Sequence, residues 1–342
     1  MVPTAFKPVF GIRISHPTDE IQPHMLSEFE LISRYFTPPT RHTVLAGGDD
    51  AAVVAVTADM ELVVSADMLV AGRHFLENAD PYGVGYKCLA VNLSDIAAMG
   101  ARPRWVTLSI ALPHANESWI EPFSRGFLDL AREHDVDLIG GDTTRGPLTV
   151  CVQILGEVPV GEALRRDGAI SGDEVWVSGT VGDAAIALAH RRGELKLKGV
   201  EIDYVLGRLD RPSARVVLGQ ALRGLVNSAI DISDGLVADV GHIAERSQVH
   251  IALDWEAVPL SSTGQRLRNE PLVRDCALAG GDDYELCFTA PRDRHAALMA
   301  LSSALGMPLT PIGRVEEGAG VTVLDAFAKA IVLERSGFDH FR

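Results

Sequence analysis

The chain has 342 residues, long for one core and comfortable for two domains. Hydrophobic residues make up 47% and charged residues only 23%, a balance that excludes extensive disorder. With 31 Lys+Arg against 46 Asp+Glu the net charge is −15, a field that repels nucleic-acid backbone and anionic lipid and argues against both as partners.

Residues 1–24 show no periodicity and are expected to form a flexible extension. A short helix fits Ser27–Phe36, with Leu26, Phe29, Ile32 and Phe36 at helical spacing and Pro38-Pro39 beyond it. Strands are expected at Ala51–Val56 and Glu61–Ala66. Tyr82–Met99 reads as a helix apolar on most sides, stopped by Gly100. Trp105–Leu112 reads as a strand and Glu117–His134 as an amphipathic helix. Leu138–Ile139 and Leu148–Val158 bracket a turn expected over Gly140–Gly146. The pattern changes near Gly161–Gly172. Beyond it, a strand at Glu174–Ser178 leads into helices near Asp183–Arg192, Ser213–Leu225 and Asp234–Arg246. Further strands fit Val249–Leu253, Glu285–Thr289 and Val321–Leu324. The expected organisation is therefore an N-terminal domain over 25–160, strand-rich α+β, and a C-terminal domain over 161–342, α/β-like.

Cys88, Cys151, Cys276 and Cys287 form no C-x-x-C pair and no zinc spacing, and three of them sit in apolar runs as packing residues. Pro3, Lys7, Pro8 and Arg13 break any signal-peptide layout, and no run approaches the ~20 apolar residues of a membrane span. The expected setting is cytoplasmic.

The aspartates fall beside glycine at the ends of apolar strands: Gly47-Gly48-Asp49-Asp50, Ser65-Ala66-Asp67, Gly140-Gly141-Asp142, Asp231-Ile232-Ser233-Asp234-Gly235 and Gly280-Gly281-Asp282-Asp283. Glycine lets a backbone approach a ligand, and carboxylates are hard ligands suited to Mg²⁺ that also bridges phosphates. Any one cluster alone reads as a turn or an N-cap, Asp234 especially, since it precedes a helical pattern. Asp95 is different. It stands inside the apolar run Leu89–Met99, where an unpaired buried carboxylate is costly, and a metal is favoured over an ordinary salt bridge as its partner. Asn92 lies one turn earlier on the same face. No G-x-x-x-x-G-K-[ST], H-R-D or D-F-G motif occurs, so a bound nucleotide must rely on cations held by the acids.

On these residues the chain resembles the bacterial thiamine-monophosphate kinases, members of the aminoimidazole-ribonucleotide-synthetase superfamily. The matching stretches are Gly48–Ala51, Ser65–Phe75, Tyr86–Gly100, Leu138–Arg145, Asp231–Leu236 with Gly241-His242-Ile243, Gly280–Leu286, and the ending Gly337-Phe338-Asp339-His340-Phe341. The resemblance implies a two-domain PurM-like fold of mixed α+β and α/β character. It also implies a homodimer whose N-terminal domains share a β-barrel, with ATP in a glycine- and aspartate-lined cleft. Ala51–Val56 and Trp105–Leu112 are expected to pair across the two-fold axis. Carried over residue by residue, Asp50, Ser65, Asp67, Asp95, Asp142, Asp231 and Asp234 match magnesium positions. Gly141, Asp142, Arg166 and Ser233 match nucleotide contacts, and His74, Asp282 and Phe338 match contacts to the thiamine substrate. Ala66 stands where the family usually has threonine, and Asp282 where it commonly has glutamate.

The chemistry implied is in-line transfer of the γ-phosphoryl of ATP to thiamine monophosphate, releasing ADP and thiamine diphosphate. Asp67, Asp95 and Asp142 with several Mg²⁺ ions, and Arg145, would carry it. The acceptor is already anionic, so a site rich in acids without an obvious base suits the reaction. The rivals are a hydrogenase-maturation or purine-synthesis member of the superfamily, and a non-catalytic sensor of magnesium nucleotide. A selenophosphate synthetase needs a reactive residue near its N-terminus, and no cysteine precedes Cys88.

Overall fold

The computed structural model describes residues 27–338. The extension expected over 1–24 and the Asp339-His340-Phe341 ending lie outside the described residues.

Helix α1 (Glu28–Tyr35) opens on a capping box in which Ser27 and Glu30 satisfy each other's backbone N–H, so the expected end residues Ser27 and Phe36 serve as caps. Strands β1 (Thr43–Leu45) and β2 (Val53–Val54) pair antiparallel, and the strand expected over Ala51–Val56 shrinks to two residues. The N-terminal sheet is built from β3 (Met60–Val70), β4 (Arg102–Leu112), β5 (Asp137–Arg145) and β6 (Thr149–Pro159), in the order β3-β6-β4-β5. Helix α2 (Pro81–Ala98) precedes β4, and α3 (Glu117–Glu133) makes the crossover between the parallel strands β4 and β5.

Two expectations fail here. Gly140–Arg145 is strand, not turn: it pairs with β4 through Leu108↔Gly141 and Ser109↔Asp142, leaving the turn at Gly146. Gly141 permits this because its φ is +150° and an added Cβ would stand 1.7 Å from the Leu108 carbonyl oxygen. Strand β4 is also unavailable for pairing across a two-fold axis, since β6 and β5 already occupy both of its edges. The open edges belong to β3 and β5, and none of the three sheets closes on itself among the described residues.

The C-terminal half runs β7 (Glu174–Ser178), α4 (Asp183–Arg191), α5 (Val200–Asp210), α6 (Val216–Leu222), β8 (Ser228–Asp231), α7 (Leu236–Ser247), β9 (His250–Asp254), α8 (Ser262–Arg266), α9 (Pro271–Ala279), β10 (Leu286–Ala290), α10 (His295–Leu305), β11 (Leu309–Glu316) and β12 (Gly320–Leu324). Its sheet has the order β12-β9-β11-β7-β10-β8. Only β12 and β9 pair parallel, so the α/β-like character expected from alternating elements gives way to an antiparallel sheet. Among the described residues, no helix is long and apolar enough to cross a membrane.

One hydrophobic core draws on both halves of the chain, across the boundary expected near residue 160. Leu89, Leu93 and Ile96 of α2 pack with Val152 and Ile154 of β6, and the same cluster reaches Leu218 of α6 and Phe288 of β10. Glycines let α2 settle deeply between its neighbours. An added Cβ at Gly85 would meet the Phe123 carbonyl of α3 at 2.0 Å, and one at Gly219 of α6 would meet the Ala97 carbonyl at 2.0 Å. The helix that carries Asp95 is therefore fixed against both halves of the molecule.

Candidate active site

Strand alternation presents Ser65 and Asp67 on the same face of β3 as Val63 and Leu69, towards α2. Leu62, Val64 and Met68 stand exposed on the other face. Asp95, in the last turns of α2, accepts a 2.5 Å hydrogen bond from Ser65 Oγ. One residue earlier, Ser94 Oγ donates to Asp231 Oδ2 at 2.8 Å, bringing the end of β8 against the same helix. Burial raises the Asp95 carboxyl, against the hydrogen bond from Ser65 and the charge of Arg166. Burial also drives Asp231 well above the ordinary carboxylate range, reinforced by the charges of Asp95 and Asp239. Asp67 is pushed up to about 7 by burial and by the charges of Asp95 and Asp234. Burial thus makes Asp67, Asp95 and Asp231 resist ionisation, neighbouring carboxylates add to the rise at Asp67 and Asp231, and the charge of Arg166 opposes it at Asp95 and Asp231.

The loop after β8 is held by a residue the sequence reading did not single out. Asp239, in the first turn of α7, accepts the backbone N–H groups of Ser233, Asp234 and Gly235 at 3.0, 3.1 and 3.0 Å. The N-cap position of α7 is Gly235, with no side-chain cap, so capping does not account for Asp234. The signal for Asp239 was an acid four residues beyond the loop glycine, in the helix turn where negative charge is favoured.

This loop holds two of the three residues matched to the thiamine substrate, Asp282 and Phe338. Ser233 O accepts from the Asp282 N–H at 2.9 Å, and Asp234 O accepts from the Phe338 N–H at 3.0 Å. Arg73 lies over the Phe338 ring, 5.3 Å from its centroid. Beside it, His74 Nδ1 accepts the Val70 N–H at 3.0 Å, which places the ring proton on Nε2. Asp282 also takes Lys87 Nζ at 2.9 Å and the Tyr284 hydroxyl at 2.8 Å, two partners the sequence reading missed. A cleft of about 460 Å³ is lined by Ser65, Asp95, Met99, Arg166, His242 and Arg246 among others.

Four of the nominated residues lie elsewhere. Asp67, Val152, Leu108 and Gly141 form one row across the N-terminal sheet, so Asp67 on β3 and Gly141 on β5 stand at opposite edges. Three interstrand spacings separate them, about 14 Å along the sheet. Asp142 and Arg145 continue along β5 and are exposed. Asp50 is exposed too, in the loop whose Gly47 packs beside the Ile139 carbonyl at the start of β5. A single chain therefore brings together Ser65, Asp67, Asp95, Asp231, Ser233, Asp234 and Arg166, with His74, Asp282 and Phe338, and leaves Asp50, Gly141, Asp142 and Arg145 apart.

Residues 48–158 match the AIR synthase related protein, N-terminal domain, and residues 171–326 match the AIR synthase related protein, C-terminal domain. Thiamine-monophosphate kinase of Escherichia coli K12 is 45% identical over 318 residues, which is 92% of this chain and 98% of that protein. The chain belongs to the thiamine-monophosphate kinase family. Among solved structures, the thiamine-monophosphate kinase from Stenotrophomonas maltophilia K279a shares 50% identity, with a TM-score of 0.78 over 82% of this chain and 91% of that one. A structure of AaThiL complexed with AMPPCP and TMP is 34% identical, with a TM-score of 0.74 over 86% and 91%.

For a thiamine-monophosphate kinase family member, the donor set suits a hard divalent cation. Asp67, Asp95, Asp231 and Asp234 offer carboxylate oxygens whose charges repel, and Ser65 adds a hydroxyl. No group of three His, Cys, Asp or Glu among the described residues converges as a ready cage for one ion. Asn92 does not join the set: its Nδ2 donates to the Cys88 carbonyl of its own helix, and its buried Oδ1 has no partner.

Proposed function

We propose that the protein phosphorylates thiamine monophosphate with ATP, giving thiamine diphosphate and ADP, in the cytoplasm. The observation that carries this is the meeting of two sets of residues at the loop Asp231–Gly235. On one side stand the carboxylates of β3, α2 and β8, and on the other Asp282 and Phe338, with Arg73, the chain neighbour of His74, over the Phe338 ring. Near-full-length similarity to thiamine-monophosphate kinases supports the same substrates.

Arg166 faces the cleft beside Ser65 and Asp95, where it can hold phosphate oxygens of the nucleotide. Ser233 and Gly141 offer further nucleotide contacts. Magnesium held by Asp67, Asp95, Asp231 and Asp234, with Ser65, Asp50 and Asp142, neutralises phosphate charge when bound. The acceptor oxygen is anionic near neutral pH, so no side chain need remove its proton. The residues position and exclude; they do not activate a hydroxyl. His74 presents an N–H donor from Nε2, Phe338 a ring face partly covered by Arg73, and Asp282 a carboxylate for a cationic organic acceptor.

The edge positions of Asp50, Gly141, Asp142 and Arg145 fit a homodimer in which β5 of one copy approaches β3 of the other, completing a barrel and each site. The exposed apolar side chains Leu62, Val64 and Met68 on the outer face of β3 favour such a cover.

The test is a turnover assay with ATP and Mg²⁺, comparing thiamine monophosphate with free thiamine. Thiamine carries a hydroxyl that must lose a proton and lacks the phosphate by which the acceptor is positioned. The expected result is ADP release with the monophosphate and a negligible rate with thiamine. Comparable kcat/KM values for the two acceptors would sink the mechanism.

A further inference from the structure

Lys87 is a lysine in the wrong place for an ordinary surface cation. It lies in the first half of α2 with 5% of its surface exposed, and its Nζ donates to Asp282 Oδ2 at 2.9 Å across the junction of the two domains. A buried ammonium is costly unless paired, so the Asp282 carboxylate is needed where it stands. That carboxylate is itself tightly held. Its second oxygen accepts the Tyr284 hydroxyl at 2.8 Å. Asp282 and Tyr284 both have positive φ, 72° and 52°, in the left-handed region that side chains with a Cβ rarely adopt.

Such backbone persists only where the surroundings over-determine it. Here the Asp282 and Tyr284 N–H groups donate to the Ser233 and Ile232 carbonyls at 2.9 and 2.8 Å. Between them, Asp283 Oδ2 accepts the Gly182 N–H at 2.7 Å, and Arg208 donates to the Asp283 carbonyl at 3.0 Å. Gly281 packs so closely on the same loop that a Cβ would stand 2.3 Å from Ser233 O. The exposures are asymmetric: the Asp282 side chain is 34% exposed and that of Lys87 only 6%. The amine is enclosed by protein, whereas the carboxylate is partly exposed. A carboxylate has about four acceptor sites, so the two bonds to Lys87 and Tyr284 leave capacity for a ligand.

We propose that Lys87 is a positioning residue for the acceptor. With Tyr284 it fixes Asp282 in one orientation, so that the carboxylate receives the cationic organic end of the acceptor and turns its phosphate end towards the acid cluster. This rests on the proposed phosphorylation of thiamine monophosphate and names a specificity element within it. Lys87 acts through Asp282 and does not touch the reacting atoms.

The experiment uses the full chain with ATP and Mg²⁺, measuring kcat and both KM values for wild type, Lys87→Met, Lys87→Arg, Tyr284→Phe, Asp282→Asn and the Lys87→Met/Asp282→Asn double variant. The expected result is a rise of about tenfold or more in KM for thiamine monophosphate in Lys87→Met, with KM for ATP and kcat within about threefold of wild type. Lys87→Arg should recover most of the loss and Tyr284→Phe should show a smaller rise. The double variant should be no worse than Asp282→Asn alone, because the two residues act as one unit. Equal effects on ATP and acceptor, or additive losses in the double variant, would overturn the clamp and leave the kinase reading intact. Wild-type protein without turnover on thiamine monophosphate would overturn the kinase reading and the clamp with it.

Discussion

Ser94 Oγ donates a 2.8 Å hydrogen bond to Asp231 Oδ2, joining the two halves of the chain one residue before Asp95. Both partners are buried, and Asp231 carries a carboxyl driven upward chiefly by that burial. The bond therefore contributes to stability and to the placement of the acid cluster together. Ser94→Ala should lower unfolding free energy by about 1–3 kcal/mol, the cost of leaving a buried acceptor short of its donor. Urea denaturation checks this, and an unchanged midpoint would show that Asp231 finds another donor.

Asp95→Asn keeps the shape of the side chain and its contact with Ser65 while removing a charge from the cluster. Turnover should fall about 10²–10³-fold at limiting Mg²⁺, the scale of losing a preorganised electrostatic group. The circular-dichroism spectrum should stay that of the wild type. Near wild-type turnover would remove Asp95 from the metal-binding set.

The separation of Asp67 and Gly141 across the N-terminal sheet makes a prediction about assembly. Light scattering should give a dimer mass at micromolar concentration. If β5 of one copy completes the site of the other, Asp67→Asn and Asp142→Asn should each abolish activity alone. Mixed and re-annealed, the two inactive proteins should regain part of it, since some heterodimers hold one intact site. No recovery from a verified heterodimer would place all these residues in one chain's site.

Asp283 offers a pH test away from the acid cluster. Burial holds its carboxyl well above the ordinary range, partly offset by the Gly182 N–H, and its Oδ1 has no hydrogen-bond partner. The folded state thus keeps a proton that the unfolded chain releases near pH 4. Stability from this group is greatest below that pH and falls as pH rises towards the raised folded value. Asp283→Asn keeps the Gly182 contact and removes the titration. It should flatten the decline in melting temperature between pH 5 and pH 8, with the variant gaining on wild type at the higher pH. Parallel curves for the two proteins would contradict this assignment.

Much of the local architecture was legible in the residues. Gly100 stopped α2, β4 and β6 carry buried apolar residues at every second position over most of their length, and β7 is a short apolar run buried almost throughout. The acid-and-glycine motifs were equally plain, since buried or strand-end carboxylates run against local preference wherever they occur. Less legible were Gly140–Arg145, where glycines that read as a turn serve a close strand contact, and α5, α9 and α10, whose mixed surfaces carry weaker patterns.

What the sequence by itself determined is the inventory: the family, the two-part chain, and the carboxylates, arginines and aromatic residues available to it. What only the tertiary structure decided is which of them meet. Strand order is set by long-range pairing that local periodicity does not encode, and it put Asp67 and Gly141 on opposite edges of one sheet. The same long-range packing brought Lys87 to Asp282, 195 residues further along, and folded Asp239 back onto three backbone N–H groups. Each of these depends on a surplus of burial and hydrogen bonding collected from distant segments, a sum that no window of the sequence contains.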